Sequence, residues 1–393
     1  VGNLLLRLEC PSCKRAWSPR EPVGHCVACS RTLRAIYDME AAKNRLSVHL
    51  WDSRPPGLWR FEELLPLEDP SQKVSLGEVE TPLLRVAGNG PDRGFLLKLD
   101  GVLPTGSFKA RGMAMAVSRA RELGLRKVAV PSAGNAGVAL AAYARRAGLE
   151  ATIFLPRDSP GMARTQIQLY GARLEEVAGH IGDAARACRE YAAQTGAFDL
   201  STLREPYRAQ GKKTMGLEIF WQTRGSTGPD VIIYPTGGGT GILGLAWAFE
   251  ELRSLGWIDR LPRLYAAQSE GCGPVVEALE RHRTRVSPVP EPRTLASGLR
   301  VPSPFSSEDI LAAIRLTQGG GVCVSDEEMV KEVRSLARRA GVWASWEVGA
   351  ALAGRRKLLE TGAIEPGETV LVYGTGAGWL NDPTPTSTGR SDF

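Results

Sequence analysis

No apolar run in the sequence approaches the roughly 20 residues that a membrane-spanning helix requires. The longest, Val138–Ala144 and Ile242–Phe249, are short and carry Ala or Gly at helical spacing, so no membrane partner is expected. Val1–Leu8 hold a short apolar patch with neither a basic flank nor a small-residue cleavage site, and do not read as a signal peptide. Blocks of like charge are missing too. The net charge is +6, and basic residues such as Arg119, Arg121, Arg126, Arg145 and Arg146 are spread along helical patterns. That spread reads as solvated helix faces and not as a nucleic-acid surface, while leaving an anionic substrate open. Cysteine is sparse beyond the N-terminus. Of seven, four fall within the first 29 residues, and Cys188, Cys272 and Cys323 stand far apart. This argues against a disulfide scaffold and for a reducing compartment, so a cytoplasmic location is expected. No internal repeat is present, and His49, His180 and His282 fall in no motif. With 43% hydrophobic and 23% charged residues over 393 positions, the chain is globular, with room for two domains and a small accessory module.

Cys10 and Cys13, then Cys26 and Cys29, make two Cys-x-x-Cys knuckles separated by twelve residues. Each knuckle presents two thiolates to one tetrahedral ion, and the interval accommodates a β-hairpin that brings the pairs together. The reading is a structural zinc site, because four sulfur ligands leave no position for water. Two disulfides or four unrelated thiols are the alternatives. His25 is read as a bystander. A Pro-rich, Trp-bearing stretch follows (Trp51, Pro55, Pro56, Trp59, Pro66, Pro70); it has no period and reads as an arm. Residues 381–393 are polar and rich in Pro and Thr, the composition of a disordered tail.

From about residue 93, short aliphatic runs (Phe95–Lys98, Val128–Pro131, Thr152–Pro156, Val231–Tyr234, Leu264–Gln268, Val370–Tyr373) alternate with helical patterns (Ala110–Leu123, Ala136–Ala147, Ile242–Leu255, Glu327–Ala340). Ser325 and Glu328 make a capping box for the last helix. Such alternation predicts parallel sheet covered on both faces, an α/β fold.

Three strand-to-helix turns stand out. Tyr234–Gly244, YPTGGGTGILG, offers backbone N–H groups of Gly237, Gly238, Gly239 and Gly241 at a helix N-terminus, where the dipole also favours an anion. It is not a Walker loop and matches the dinucleotide fingerprint poorly, so the phosphate belongs to something other than a nucleotide, tight packing being the alternative. Leu103–Gly112, LPTGSFKARG, places Ser107 to cap and Lys109 in the first helical turn. The positive end of the dipole there disfavours the ammonium form, as a Schiff-base lysine requires; a solvated lysine is the bland reading. Val130–Gly137, VPSAGNAG, offers a hydroxyl, N–H groups and an amide side chain suited to a carboxylate and a phenolic oxygen, or makes a plain Asx-type turn.

Together these segments resemble the fold type II pyridoxal-phosphate enzymes and, within them, the threonine synthase family, over nearly the whole chain. PTGSFKARG is similar to the family's cofactor-lysine segment, SAGN to its carboxylate and ring-hydroxyl segment, and PTGGGTG to its cofactor-phosphate loop. LGEVETPL (Leu76–Leu83), EPYRAQGKKT (Glu205–Thr214), QSEGCGP (Gln268–Pro274) and YGTGAGW (Tyr373–Trp379) also match. Val79, Glu205 and Trp379 depart from the usual Gly, Asn and Leu-Lys. The resemblance implies two open parallel-sheet α/β domains with an N-terminal zinc ribbon: ribbon 1–40, a large cofactor-binding domain 41–108 and 225–380, and a small domain 109–224. It implies pyridoxal phosphate held by Lys109, Asn135, Gly237, Gly238, Gly239, Thr240, Gly241 and Thr375. Lys109 would be catalytic, and the hydroxyl of Thr375 at the ring nitrogen would leave that nitrogen largely unprotonated. Thr105, Ser107, Ser132 and Arg208 would bind the substrate, with Arg208 on a phosphate. The implied zinc ligands are Cys10, Cys13, Cys26 and Cys29; the expected partner is a small amino-acid substrate carrying a phosphate, with no nucleic acid, and the sequence does not set the oligomeric state, a homodimer being one option. The implied reaction is O-phospho-L-homoserine plus water to L-threonine and phosphate. An ammonia-lyase or β-replacement enzyme on the same scaffold, and a non-enzymic binding protein, are the other readings.

Overall fold

The computed structural model describes residues 4–88, 92–224 and 228–381; the tail expected over 381–393 lies, from 382 on, outside the described residues. Strand β1 (Leu5–Glu9) is the centre of a small antiparallel sheet, flanked by β2 (Ala16–Trp17) and β3 (Arg34–Tyr37). Helices α1 (Met39–Arg45) and α2 (Val48–Asp52) follow, started by the side chains of Asp38 and Ser47 on the N–H groups of Ala41 and Leu50. The Pro-rich stretch is not a free arm. It lays Trp51 edge-on between Phe61 and Trp257, with ring centroids 4.7 and 5.0 Å away, and buries Leu58, Phe61 and Leu64.

Strands β4 (Leu83–Val86) and β5 (Phe95–Leu99) pair antiparallel and form one edge of a six-stranded sheet. The chain then passes through α3 (Lys109–Glu122) into a four-stranded parallel sheet. This contains β6 (Lys127–Pro131), β7 (Glu150–Pro156), β8 (Arg173–Val177) and β9 (Phe198–Asp199) in the order β8-β7-β6-β9, linked by α4 (Asn135–Ala147), α5 (Gly161–Leu169) and α6 (Ile181–Thr195). Helix α7 (Tyr207–Thr223) returns the chain to the large sheet. There β10 (Val231–Pro235), β11 (Arg263–Ser269), β12 (Gly320–Val324) and β13 (Val370–Gly374) complete the order β12-β11-β10-β13-β5-β4. The connecting helices are α8 (Thr240–Ser254), α9 (Pro274–Glu280), α10 (Ser307–Leu316), α11 (Asp326–Ala340) and α12 (Trp346–Glu360). All contacts in that sheet except β4·β5 are parallel, which is the expected α/β class. The Ser325–Glu328 capping box is formed as read.

Helix α7 was invisible to periodicity for a physical reason: from Tyr207 to Ile219 every residue is buried, so no polar face exists to set a 3.6-residue rhythm. It packs on both α3 and α8 and carries charges into the interior. Glu218 accepts from Lys98 Nζ at 2.6 Å and from Arg111 Nη2 at 2.8 Å, while Arg111 also donates to Asp100, which takes the hydroxyl of Tyr373 at 2.8 Å. This closed network ties α7, α3, β5 and β13 together. Arg111 stands two residues beyond Lys109, so the network fixes the helix that carries the candidate amine.

Candidate active site

A cavity of about 900 Å³ opens between the two large sheets and is lined by Lys109, by 131–136, by 234–241 except Thr236, and by Thr375. Three of its walls are the turns singled out in the sequence. They meet because each follows a strand of a parallel sheet, whose carboxyl ends converge on one crevice.

Lys109 is the first residue of α3. The turn before it puts Thr105 and Gly106 at φ 64° and 73°, and a Cβ on Gly106 would lie 2.5 Å from the ring of Trp379, so only glycine fits. Trp379 therefore packs behind the turn and does not line the cavity. Ser107 does not cap the helix as expected. Its backbone pairs with Gly376, Phe108 N–H donates to the Thr375 carbonyl at 2.9 Å, and the Ser107 hydroxyl is buried without a partner. Lys109 Nζ lies 4.4 Å from the Phe108 ring centroid and makes no hydrogen bond or ion pair among the described residues. Enclosure by protein, then the Arg208 guanidinium, lower its pKa to about 7, against a smaller opposing pull from Glu347. Burial, more than the dipole, is thus what favours the free amine. The amine should react with an aldehyde at a rate that rises through pH about 7 and then levels. Stopped-flow loading of apoenzyme with pyridoxal phosphate checks this; a rise centred near the ordinary lysine value would contradict it.

Ser132 lines the cavity, but its hydroxyl already serves the turn, accepting from the N–H groups of Gly134 and Gly137 at 3.0 and 2.9 Å. Gly134, at φ 140° and ψ −93°, occupies backbone space closed to other residues, and Asn135 opens α4 directly after it. In the third turn, α8 starts at Thr240 behind Gly239 with no side-chain cap. Among the described residues, the N–H groups of Gly238, Gly239, Thr240 and Gly241 have no protein partner. An anion at a helix N-terminus would satisfy these donors, and together with the amine of Lys109 they fit pyridoxal phosphate. A Cβ on Gly238 would meet the methyl of Thr202 at 2.8 Å, so this glycine is required by the facing segment of the small sheet. Gly238→Val should part the two walls and weaken cofactor retention at least about tenfold, read by titrating apoenzyme. Equal affinity would contradict the placement.

Thr105, Ser107 and Arg208 do not line the cavity. Arg208 is fully buried behind it; Nη1 donates to Leu200 O at 2.6 Å, while Nε and Nη2 have no partner among the described residues. Glu205 does not pair with it: the Glu205 carboxylate instead caps α7, accepting from the N–H groups of Tyr207 and Arg208 at 2.7 and 3.0 Å. Several lining residues went unread in the sequence, among them Arg189, Arg204, Ser345 and Glu347. No local motif marks them.

Away from this cavity, the Sγ atoms of Cys10, Cys13, Cys26 and Cys29 lie within 4.8 Å of one another, and all four thiols are free. The two knuckles are near copies. Cys10 N–H donates to Arg15 O and Cys26 N–H to Arg31 O, both at 2.9 Å, with Lys14 and Ser30 in matching left-handed positions. His25 packs edge-on against Phe305 and is not in the cluster.

The family model described as "pyridoxal-phosphate dependent enzyme" matches residues 74–376. The threonine synthase of Methanocaldococcus jannaschii is 34% identical over 379 residues, covering 95% of this chain and 93% of that one. That of Methanosarcina acetivorans is 33% identical over 383 residues, covering 96% and 93%. This chain belongs to the threonine synthase family of pyridoxal-phosphate dependent enzymes. Among solved structures, a threonine deaminase from T.th. superposes with a TM-score of 0.64 at 26% identity, covering 78% of this chain and 94% of that one. Maize serine racemase gives 0.65 at 21%, covering 76% and 88%. The family's sheets and crevice are therefore those described above. Among the described residues no helix is long and apolar enough to cross a membrane.

Proposed function

We propose that this chain converts O-phospho-L-homoserine and water into L-threonine and phosphate. The observation that carries the reading is the amine of Lys109, poised near neutrality in the wall of a crevice whose glycine turn leaves its N–H groups unpartnered among the described residues. Pyridoxal phosphate, when bound, supplies an electron sink that acidifies the carbon bearing the substrate amino group. The chain's residues do the rest. Lys109 Nζ would hold the cofactor and afterwards take and return protons on the substrate. Gly237, Gly238, Gly239, Thr240 and Gly241 would hold the cofactor phosphate, Asn135 its ring hydroxyl and Thr375 its ring nitrogen. The Ser132 turn receives the substrate carboxylate on its N–H groups, with the Ser132 hydroxyl shaping that turn. Thr105 and Ser107 support the lysine turn, and Arg208 acts from behind the wall by favouring the uncharged amine. Over the whole reaction the bond from Cγ to the phosphate oxygen breaks, Cβ gives up one proton and receives the hydroxyl of water, Cγ takes up a proton to become the methyl group, and phosphate leaves with the remaining proton of water. Incubation with O-phosphohomoserine should release phosphate and threonine in equal amounts. Ammonia released from serine or threonine, with no phosphate from O-phosphohomoserine, would move the assignment to an ammonia-lyase.

We divide the chain into a ribbon (1–40), a large domain (41–108 and 225–380) and a small domain (109–224), following the three sheets. The ribbon is read as a structural zinc site. With Zn–S bonds of about 2.3 Å a tetrahedron holds its sulfurs about 3.8 Å apart, and Cys13 Sγ and Cys26 Sγ are separated by 3.7 Å. Metal analysis should find about one zinc per chain, and Cys26→Ser should lose it. Full zinc in that variant, or none in the parent purified without chelator, would overturn the ribbon reading.

A further inference from the structure

The ribbon's second knuckle stands at the mouth of the reaction cavity. Two segments form facing lips there. Residues 201–204 leave the four-stranded sheet after β9 and contribute Ser201, Thr202 and Arg204, while 304–308 run into α10 and contribute Phe305 and Ser306. Ser30, which directly follows Cys29, is exposed and lines the same cavity, so the knuckle belongs to its rim. The residues on either side of the knuckle touch both lips. A Cβ on Gly24 would lie 2.7 Å from the Arg204 carbonyl oxygen, a backbone approach that only glycine permits. Opposite it, the His25 ring packs edge-on against Phe305 at 5.4 Å between centroids, Thr32 N–H donates to Ser306 Oγ at 2.7 Å, and Arg31 Nε donates to Asp309 at 2.8 Å.

These contacts act as one piece because the knuckle ties them together. His25 pairs with Thr32 across it, and Ser30 N–H closes the turn on Cys26 O at 2.8 Å. The base of the ribbon is anchored separately, the Tyr37 hydroxyl donating to Gln210 of α7 at 3.1 Å and Arg34 pairing with Glu250 of α8 at 2.7 Å. The first lip passes its position on to the cofactor turn, since the methyl of Thr202 faces Gly238. Apart from the ribbon, the lips meet through weaker means. The Arg204 guanidinium lies 4.5 Å from the Phe305 centroid. Arg300 pairs with Asp158 at 2.8 Å, but that acid is 56% exposed and the pair is screened by water. Walls that meet through so little surface move relative to each other by default, so a brace between them has an effect.

We propose that the zinc-bound second knuckle is a strut across the mouth of the cavity, holding 201–204 and 304–309 at a fixed gap and so keeping the facing wall on the cofactor turn. This rests on the ribbon reading and on the cofactor placement above, and no part of it involves O-phosphohomoserine. The experiment compares the parent holoenzyme with three variants. Cys26→Ser removes a metal ligand, Gly24→Val wedges the first lip away, and the double variant Ser306→Ala/Asp309→Ala releases the second lip from outside the ribbon. Zinc content, the affinity of apoenzyme for pyridoxal phosphate and the rate at which borohydride bleaches the bound cofactor are read for each, with circular dichroism to confirm folding. Gly24→Val and the double variant should keep about one zinc per chain, yet bind cofactor at least about fivefold more weakly and bleach at least about fivefold faster, as the zinc-free Cys26→Ser should. A zinc-replete parent whose Cys26→Ser variant loses the metal but stays within about twofold on both readouts would overturn the strut and leave the ribbon reading standing. The same two readouts unchanged in Gly24→Val and in the double variant would also overturn it. A parent without zinc would reject the ribbon reading and the strut's metal dependence with it, and a parent without bleachable absorbance would reject the cofactor placement.

Discussion

Lys109→Ala is expected to abolish turnover and to remove the visible absorbance of the bound cofactor. Two losses add. Proton transfer by a positioned base is worth about 10²- to 10⁴-fold, and the covalent hold on the cofactor goes with the same atom. No neighbour can take over. The second amine near this wall, Lys212, is wholly buried, donates to the Phe108 carbonyl at 3.2 Å and is absent from the cavity lining. Burial, then the charge of Lys109, press its pKa down as well, but it has no path to a ligand in the cavity. The measurement is steady-state threonine formation together with the absorbance spectrum of dialysed protein. Turnover within about a hundredfold of the parent would remove Lys109 from its role.

The second large effect is on stability. Glu218→Ala should lower the free energy of unfolding by about 3–5 kcal/mol, the cost of leaving buried partner charges uncompensated. Lys98, Arg111 and Glu218 are each 1% exposed or less, so solvent does not screen them. Burial alone would raise the Glu218 pKa, yet Arg111 and Lys98 hold it at about 2. A carboxylate depressed in this way stabilises the fold fully above its unfolded value of about 4.3, and the contribution is lost as pH falls toward 2. Urea unfolding of parent and variant at pH 7 and at pH 3 checks both statements. The gap between the two proteins should narrow at the lower pH; a difference below about 1 kcal/mol at pH 7 would contradict the network's role. Arg111 belongs to the same helix as Lys109, so the variant's residual folded fraction should also load cofactor poorly.

The three turns were legible because their chemistry is local. A proline, a run of glycines or a Ser-x-Gly-Asn order states a backbone path without reference to the rest of the chain, and each path is the one found. The two knuckles were legible for the same reason. Ser107 was misread because its cap role assumed an isolated helix start, whereas pairing with Gly376 draws its backbone into an extended conformation, at φ −154° and ψ 161°. Strand β12 was hidden by Gly320 and Gly321, which look like a turn. They are glycines because the Tyr265 ring and Val276 occupy the space a Cβ would need, at 3.0 and 2.8 Å. Arg204 went unread for a similar reason: it lines the cavity while Arg208, four residues on, does not, and nothing in their own neighbourhood of sequence says which of the two reaches the crevice.

Everything proposed for this crevice depends on the amine of Lys109 holding pyridoxal phosphate there. Reducing the holoenzyme with borohydride and mapping the pyridoxyl mass onto proteolytic peptides tests it most directly. One modified residue, Lys109, is expected, in the peptide that contains Ser107 and Phe108. A pyridoxyl group on Lys212, on any other lysine, or on none would contradict it.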